Sequence, residues 1–307
     1  MRKGEIVSVG SINVDFQVRV DREPEPGDLI EGREFLLAGG GKAANVAYLA
    51  RKLGRGSRLI ARTGDDPLAG YALQPLQQIG VDLSYTKPAA GYQTGVAMIL
   101  VWPTGKKSII LTANANDSWR EEDENEVVAA VAEAPHGSVL VVNLEMTAFV
   151  AGWAVVTVRK TGFPVVLDPS PADRFEPWLY PYVDYITPNP SEAEQLTGIS
   201  VNSVEDAFRA GEVLRERGVG TALVKLSGGG CVVVGEKDKK HIRSIEVESV
   251  DSTGAGDAFA GALAVAVLEG RNIEEAARLA VNAAALATTR YGAQKSYPSR
   301  EELEKSL

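Results

Sequence analysis

Short apolar runs rich in β-branched residues alternate with helix-like patterns along nearly the whole chain, and this rhythm admits few architectures. The runs fall at 6–9, 59–61, 139–142, 165–167, 185–186, 222–225 and 231–234. None shows the polar alternation of a strand wetted on one face, so they predict strands buried on both sides. Helical periodicity fills the intervals at 43–53, 69–79, 123–134, 148–161, 192–196, 204–217, 257–268 and 273–289. A repeated βα order of this kind predicts a doubly wound α/β fold, a mostly parallel sheet flanked by helices.

Two stretches break the rhythm. Strand-like runs at 14–20 and 30–37 are joined by DREPEPGDL, and runs at 94–101 and 106–112 by WPTGK, a hairpin-like spacing. Four strands without intervening helices predict a small β-sheet inserted at about 14–37 and 94–112 of a single domain, 1–307. Over the carboxyl edge of a parallel sheet, where ligands bind, such a layer would be a lid. From pattern alone, an edge extension of the main sheet reads equally well.

Composition narrows the chemistry. With 32 basic and 41 acidic residues the net charge is −9, which gives no general attraction to nucleic acid or to anionic membranes. The first residues hold too short an apolar run for a signal peptide, and no stretch is long enough to span a bilayer, so a cytoplasmic location is expected. Cys231 is the only cysteine, and with only His136 and His241 beside it the usual zinc sites cannot be assembled. Any metal is expected to sit among oxygen ligands.

Several segments carry chemistry. Val250-Asp251-Ser252-Thr253-Gly254-Ala255-Gly256-Asp257 leads into an alanine- and leucine-rich helix. Gly254 and Gly256 let the backbone approach a ligand, and the unpaired N–H groups of the first turn then suit phosphoryl oxygens. Asp257 stands at the mouth of that hole, placed to take a proton from a hydroxyl, although an Asp there also serves as a plain helix cap. A second glycine turn, Gly39-Gly40-Gly41-Lys42-Ala43-Ala44-Asn45, is not a Walker A loop, since Leu36 stands five before Gly41 and Ala43 has no hydroxyl for Mg²⁺. It presents Lys42 and Asn45 to a polyhydroxylated ligand or a phosphate. Asn13 and Asp15 face one side of an extended chain, and Glu145 follows a strand, which offers three acceptors for sugar hydroxyls. Asn189 and Glu192 open a helix within reach of phosphates and hydrated Mg²⁺, and the loop from Lys225 to Gly230 is able to wrap a nucleotide.

Taken in this order, GSINVD, GGKAAN, TGDD, ANAN, NLE, DPSPA, ITPNPSEAEQLTG and VDSTGAGDAFAGAL resemble the ribokinase branch of the PfkB carbohydrate kinase family over nearly the whole chain. The resemblance implies an ATP-dependent kinase that phosphorylates a sugar, D-ribose before others, with 2-deoxyribose, another sugar or a nucleoside as alternatives. It implies Asp257 as catalytic base, with Gly254, Ala255 and Gly256 as the anion hole. Asn13, Asp15, Gly41, Lys42, Asn45, Glu145 and Asp257 would bind the sugar. Asn189, Lys225, Ser227, Gly228, Gly230 and Gly256 would meet ATP, and Glu192 would help to place Mg²⁺. It further implies an activating potassium ion at Asp251, Thr253, Ala287, Arg290, Gly292 and Ser296, mostly through backbone carbonyls, and a homodimer formed through the lid.

Ala43 stands where ribokinases usually have glycine, and Ser227 begins a loop that usually begins with glycine, so an altered sugar preference is open. Trp102 and Trp119 lie in or near the lid, as stacking surfaces for a base or as packing residues. Two readings from other classes fit less well. A dinucleotide-binding oxidoreductase expects G-x-G-x-x-G straight after the first strand, where this chain has Gly10-Ser11-Ile12-Asn13. A non-catalytic sugar-binding protein has no use for the intact GAGD segment.

Overall fold

The computed structural model describes residues 4–307. In chain order its elements are β1 (Ile6–Val9), β2 (Asn13–Arg19), β3 (Arg33–Gly40), α1 (Lys42–Lys52), β4 (Ser57–Gly64), α2 (Leu68–Ile79), β5 (Thr86–Ala89), β6 (Gly95–Val101), β7 (Lys107–Thr112), α3 (Glu124–Ala132), β8 (Val139–Asn143), α4 (Ala148–Thr161), β9 (Val165–Asp168), β10 (Tyr185–Ile186), α5 (Pro190–Thr197), α6 (Val204–Glu216), β11 (Thr221–Lys225), β12 (Cys231–Val234), β13 (Lys239–Ile242), α7 (Ala255–Leu268), α8 (Ile273–Ala287) and α9 (Arg300–Lys305).

Nine strands form the main sheet in the order β13-β12-β11-β10-β9-β8-β1-β4-β5. All of its pairings from β5 to β11 are parallel, while β12 and β13 return antiparallel at one edge. The central strands β1, β4 and β8 are buried at every position, as the apolar runs 6–9, 59–61 and 139–142 predict, and β4 buries Arg58 and Arg62 on either side of its run. One face of the sheet packs on α3, α4 and α6 through Val131, Val155 and Leu214. The other packs on α1, α7 and α8 through Leu49, Phe259, Leu263 and Leu279.

The remaining four strands form a separate sheet, β3-β2-β6-β7, rather than an extension of the main one. Its β6–β7 hairpin turns through WPTGK, and β2 joins β6 in parallel. Three elements lie outside the sequence expectation. Strands β5 (TKPA) and β13 (KKHI) are mostly exposed edge strands without an apolar run, and α9 is a single short helix started by a Ser299–Glu302 capping box.

Helix α7 fixes the geometry at the carboxyl edge of the sheet. Its sequence AGDAFAGALAVAVL is buried for ten consecutive residues from Asp257 to Ala266, so it is wrapped on all sides rather than amphipathic. Small residues make this possible: a Cβ built on Gly261 would lie 3.2 Å from Leu49 Cδ2 of α1. The two helices therefore run close together and bring their N-termini side by side. Truncating Leu49, which is fully buried at this crossing, is expected to destabilise the fold by about 2–5 kcal/mol in urea unfolding, since the cavity cannot collapse against a packed helix.

Candidate active site

The chemistry-bearing residues gather at the carboxyl ends of the parallel strands, the edge at which open α/β sheets bind ligands. Ser11 follows β1, Asn13 opens β2, Glu145 follows β8, β9 ends on Asp168 and β11 ends on Lys225. The neighbouring N-termini of α1 and α7 supply Lys42, Asn45 and Asp257. Asn45 Nδ2 donates to Asp257 Oδ2 at 2.8 Å, and Lys42 Nζ donates to Asp257 Oδ1 at 3.3 Å. Gly41 makes the turn into α1 with φ of 93°, and a Cβ there would lie 2.6 Å from Ile12 Cα. No residue with a side chain fits that corner.

The acceptors expected beside Lys42 are present. Asn13 and Asp15 stand on one face of β2 and are both buried. Burial, followed by the charges of Asp257 and Glu145, raises the Asp15 carboxyl from 3.8 to about 7. Glu145 accepts from Ser11 Oγ at 2.8 Å and is raised by burial, an effect that Lys42 partly offsets. Burial also opposes the charge on Lys42, but the carboxylates of Asp168, Asp257, Glu145 and Glu192 outweigh it and hold the ammonium well above its ordinary value.

Asp168, part of the DPSPA segment, received no role from the sequence and is central in the structure. It is buried, its Oδ2 accepts from Lys42 Nζ at 3.0 Å, and its Oδ1 lies 3.7 Å from Lys225 Nζ. Burial opposes its ionisation, but the two lysines win and its pKa is lowered. The signal for it was available, because an acidic residue closing a β-strand at the ligand edge follows the same logic as Glu145. Three further residues orient this set. Ser11 Oγ accepts from Lys42 N, Asn116 Nδ2 donates to Asn13 Oδ1 at 2.8 Å, and Gln294 Nε2 donates to Asn45 Oδ1 at 3.1 Å.

At the start of α7, Gly254 takes φ of 76° and Ala255 N–H turns back to Ser252 O at 3.3 Å. The N–H groups of Gly256 and Asp257 have no acceptor among the described residues, so they remain free for an anion. Lys225 Nζ lies 3.6 Å from the place a Gly256 Cβ would take. Asn189 and Glu192 form a reciprocal capping box at the start of α5, with Asn189 N donating to Glu192 Oε2 and Glu192 N to Asn189 Oδ1. The Asn189 amide nitrogen and the second Glu192 oxygen keep no protein partner among the described residues. Burial and the Asp168 charge raise the Glu192 carboxyl. Ser227, Gly228 and Gly230 belong to the turn joining β11 to β12, exposed at Ser227 and Gly228, and of that loop only Lys225 reaches the charged cluster.

The residues expected around a monovalent cation also come together. The buried Asp251 carboxylate accepts from Thr253 N and Oγ1, from Gly292 N and from Gln17 Nε2. The carbonyls of Thr253, Ala287, Arg290 and Gly292 accept no hydrogen bond among the described residues. Ser296 Oγ donates to Ala293 O, and the Arg290 side chain points away to Glu302. Unpaired carbonyls on segments that meet a buried carboxylate are the kind of donor that suits a hard cation.

A doubly wound sheet with a carboxylate at an open helix N-terminus, flanked by lysines and further buried carboxylates and amides, suits a phosphotransferase for polyhydroxylated small molecules. The chain belongs to the pfkB family carbohydrate kinases, whose family model matches residues 3–300, and it is an ATP-dependent sugar kinase. It is 33% identical to the ribokinase of Haemophilus influenzae over 98% of this chain and 97% of that protein. A deoxyribokinase of Salmonella typhimurium is 30% identical over 99% of this chain and 98% of its own length. Among solved structures, that of Arabidopsis thaliana ribokinase complexed with ribose and ATP superimposes with a TM-score of 0.85 at 30% identity, covering 99% of this chain and 98% of that one.

The Asp15 environment makes a stability prediction. Between 3.8 and about 7 the folded chain holds a proton on Asp15 that the unfolded chain has lost, so this group subtracts stability as pH rises through that window and subtracts most above it. Asp15→Asn is expected to raise the melting temperature by about 2–4 °C at pH 8 and by less at pH 5. An equal shift at both pH values would contradict this.

Proposed function

We propose that the enzyme transfers the γ-phosphoryl group of ATP to the terminal hydroxyl of D-ribose, giving ribose 5-phosphate and ADP. The observation that carries this reading is the Lys42, Asn45 and Asp257 constellation facing the free N–H groups of α7. The hydroxyl oxygen attacks the γ-phosphorus, the bond to the ADP oxygen breaks, and the hydroxyl proton passes to Asp257. In a loose transition state charge collects on the equatorial oxygens, where the N–H groups of Gly256 and Asp257 and the Lys225 ammonium meet it. Asn13, Asp15 and Glu145 read the remaining hydroxyls, and Lys42, tied to Asp168, joins the sugar side to the nucleotide side. Gly41 gives α1 its close approach to this site. Ser227, Gly228 and Gly230 are assigned to the nucleotide by the family resemblance.

Mg²⁺ arriving with ATP neutralises its phosphates, and Asn189 and Glu192 are the groups that would hold its hydrated shell. Asp251, Thr253, Ala287, Arg290, Gly292 and Ser296 would hold potassium, whose charge supports the neighbouring anion hole. The small sheet acts as the sugar lid of one unit spanning 1–307. Its outer face carries an apolar stripe in register, Leu37, Phe16, Met98 and Ile110, with Met98 56% and Ile110 66% exposed. A second copy of the chain covering this stripe would give a homodimer. A cytoplasmic setting agrees with the lone buried Cys231 and with the absence, among the described residues, of any helix long and apolar enough to cross a membrane.

The deoxyribokinase relative favours 2-deoxyribose as second reading, since the two sugars differ by one hydroxyl. A nucleoside retains one of the two tryptophans considered above, Trp102, which is half-buried in the β6–β7 turn. Trp119, considered above as a stacking surface for a base, is buried in the main core beneath the Arg62 guanidinium, 4.1 Å from its ring, and offers no slot.

The test is ADP release from ATP and Mg²⁺ with D-ribose, 2-deoxyribose, fructose, adenosine and cytidine, with and without potassium. Ribose is expected to be turned over best, and Asp257→Asn is expected to lower kcat on the order of 10²–10⁴-fold. A mutant as active as the wild type would remove Asp257 from the mechanism, while preference for another sugar would move the substrate and leave the base in place. Potassium is expected to accelerate turnover, and an equal rate without it would empty the proposed cation site of function.

A further inference from the structure

Lys107 is absent from the family resemblance and opens β7 on the inner face of the small sheet. It pairs with Val101, which pairs with Arg19, and cross-strand partners share a face. Gln17 on that same face reaches Asp251, so the face looks onto the loop that precedes the anion hole. Lys107 Nζ donates to Ser252 O at 2.8 Å, and the same oxygen accepts Ala255 N–H at 3.3 Å. The ammonium therefore lies against the first turn of α7 with a single carbonyl oxygen between them.

An ammonium has three N–H bonds, and this one uses one of them among the described residues. No carboxylate forms an ion pair with it there; it feels the charges of Asp251, Asp257 and Asp15, with Lys42 on the repulsive side. A half-buried cation satisfied by one neutral carbonyl is better satisfied when an anion joins it. The reaction brings such an anion to the free N–H groups next door. The cation is also held in place, because Gly105 O of the same hairpin accepts from Ser252 N and Ser252 Oγ.

We propose that Lys107 is a catalytic residue delivered by the small sheet, whose two unused N–H bonds contact the equatorial oxygens of the transferring phosphoryl group. These oxygens then lie between Lys107 on one side and Gly256 N–H, Asp257 N–H and Lys225 on the other. The sheet that covers the sugar thereby carries part of the transition-state charge stabilisation, and phosphoryl transfer is tied to a seated lid. The proposal rests on the kinase reading and is independent of which sugar is preferred.

The experiment uses the full chain and whichever sugar the wild type turns over best, at saturating sugar, ATP and potassium. Lys107→Met is expected to lower kcat about 10²-fold, while the sugar Kd measured by calorimetry without nucleotide stays within about threefold. Lys107→Arg, which keeps the charge, is expected to recover most of that loss. Melting temperatures establish that each variant is folded, and Lys107→Gln, which keeps a polar tip toward Ser252 O, takes the place of the methionine variant if the latter melts early. A folded neutral variant with kcat within about twofold of wild type overturns the proposal, as does a loss confined to sugar KM and Kd, which would make Lys107 a latch only. A wild type that phosphorylates none of the sugars overturns this proposal and the kinase reading together, whereas an active wild type with an indifferent Lys107 overturns this proposal alone.

Discussion

The close approach of α1 to α7 is the constraint on which the rest of the site depends. Both helices start at the carboxyl edge of the sheet, and their small residues let the N-termini meet, so Lys42 and Asn45 reach the Asp257 carboxylate directly. Without Gly261 and the fully buried alanines of α7, the helices would stand further apart and these hydrogen bonds would break. The apolar interior is thus the positioning device for the polar site, and precision at Asp257 is inherited from packing well behind it.

The same edge concentrates carboxylates against few cations. Asp15, Glu145, Asp168, Glu192 and Asp257 share the region with Lys42, Lys225 and Lys107, and burial raises Asp15, Glu145 and Glu192. Asp168, held between two lysines, is instead pulled down. Such a set is poorly satisfied by itself and well satisfied by a ligand that brings hydroxyl donors for the acids and phosphoryl oxygens for the lysines. Stability is given up here for complementarity to a reacting pair, as expected where polar groups are arranged for binding rather than for folding.

How far this was legible from residues alone follows from the kind of information each feature needs. The core strands announce themselves because burial on both faces writes an unbroken apolar run, as in Val139 to Val142. The exposed edges β5 and β13 write no such run, since Pro88 and the lysines of KKHI suit solvent rather than a sheet interior. At the site, residues that end strands or open helices were readable in sequence: Asn13, Lys42, Glu145 and Asp257 all sit at such transitions. Ser11, Asn116 and Gln294 were not, because each acts by orienting another side chain up to 249 positions away. Asp168 has the same strand-end position as Glu145, but its place in the site is defined by Lys42 and Lys225 on either side of it, which only the fold brings there.

Register adds what periodicity cannot. A strand pattern says that Asp15, Gln17 and Arg19 share a face, but only pairing to β6 and β7 places Lys107 on that face and aims it at Ser252. The loop from Asp251 to Gly256 then receives the small sheet from one side through Gln17, Gly105 and Lys107, and the C-terminal segment from another through Gly292. It continues without interruption into the helix whose free N–H groups would form the proposed anion hole. A displacement of the small sheet, a change in the proposed cation and a shift of the proposed hole are therefore movements of one short loop. Coupling among sugar coverage, cation and phosphoryl transfer needs no longer path than the six residues from Asp251 to Gly256.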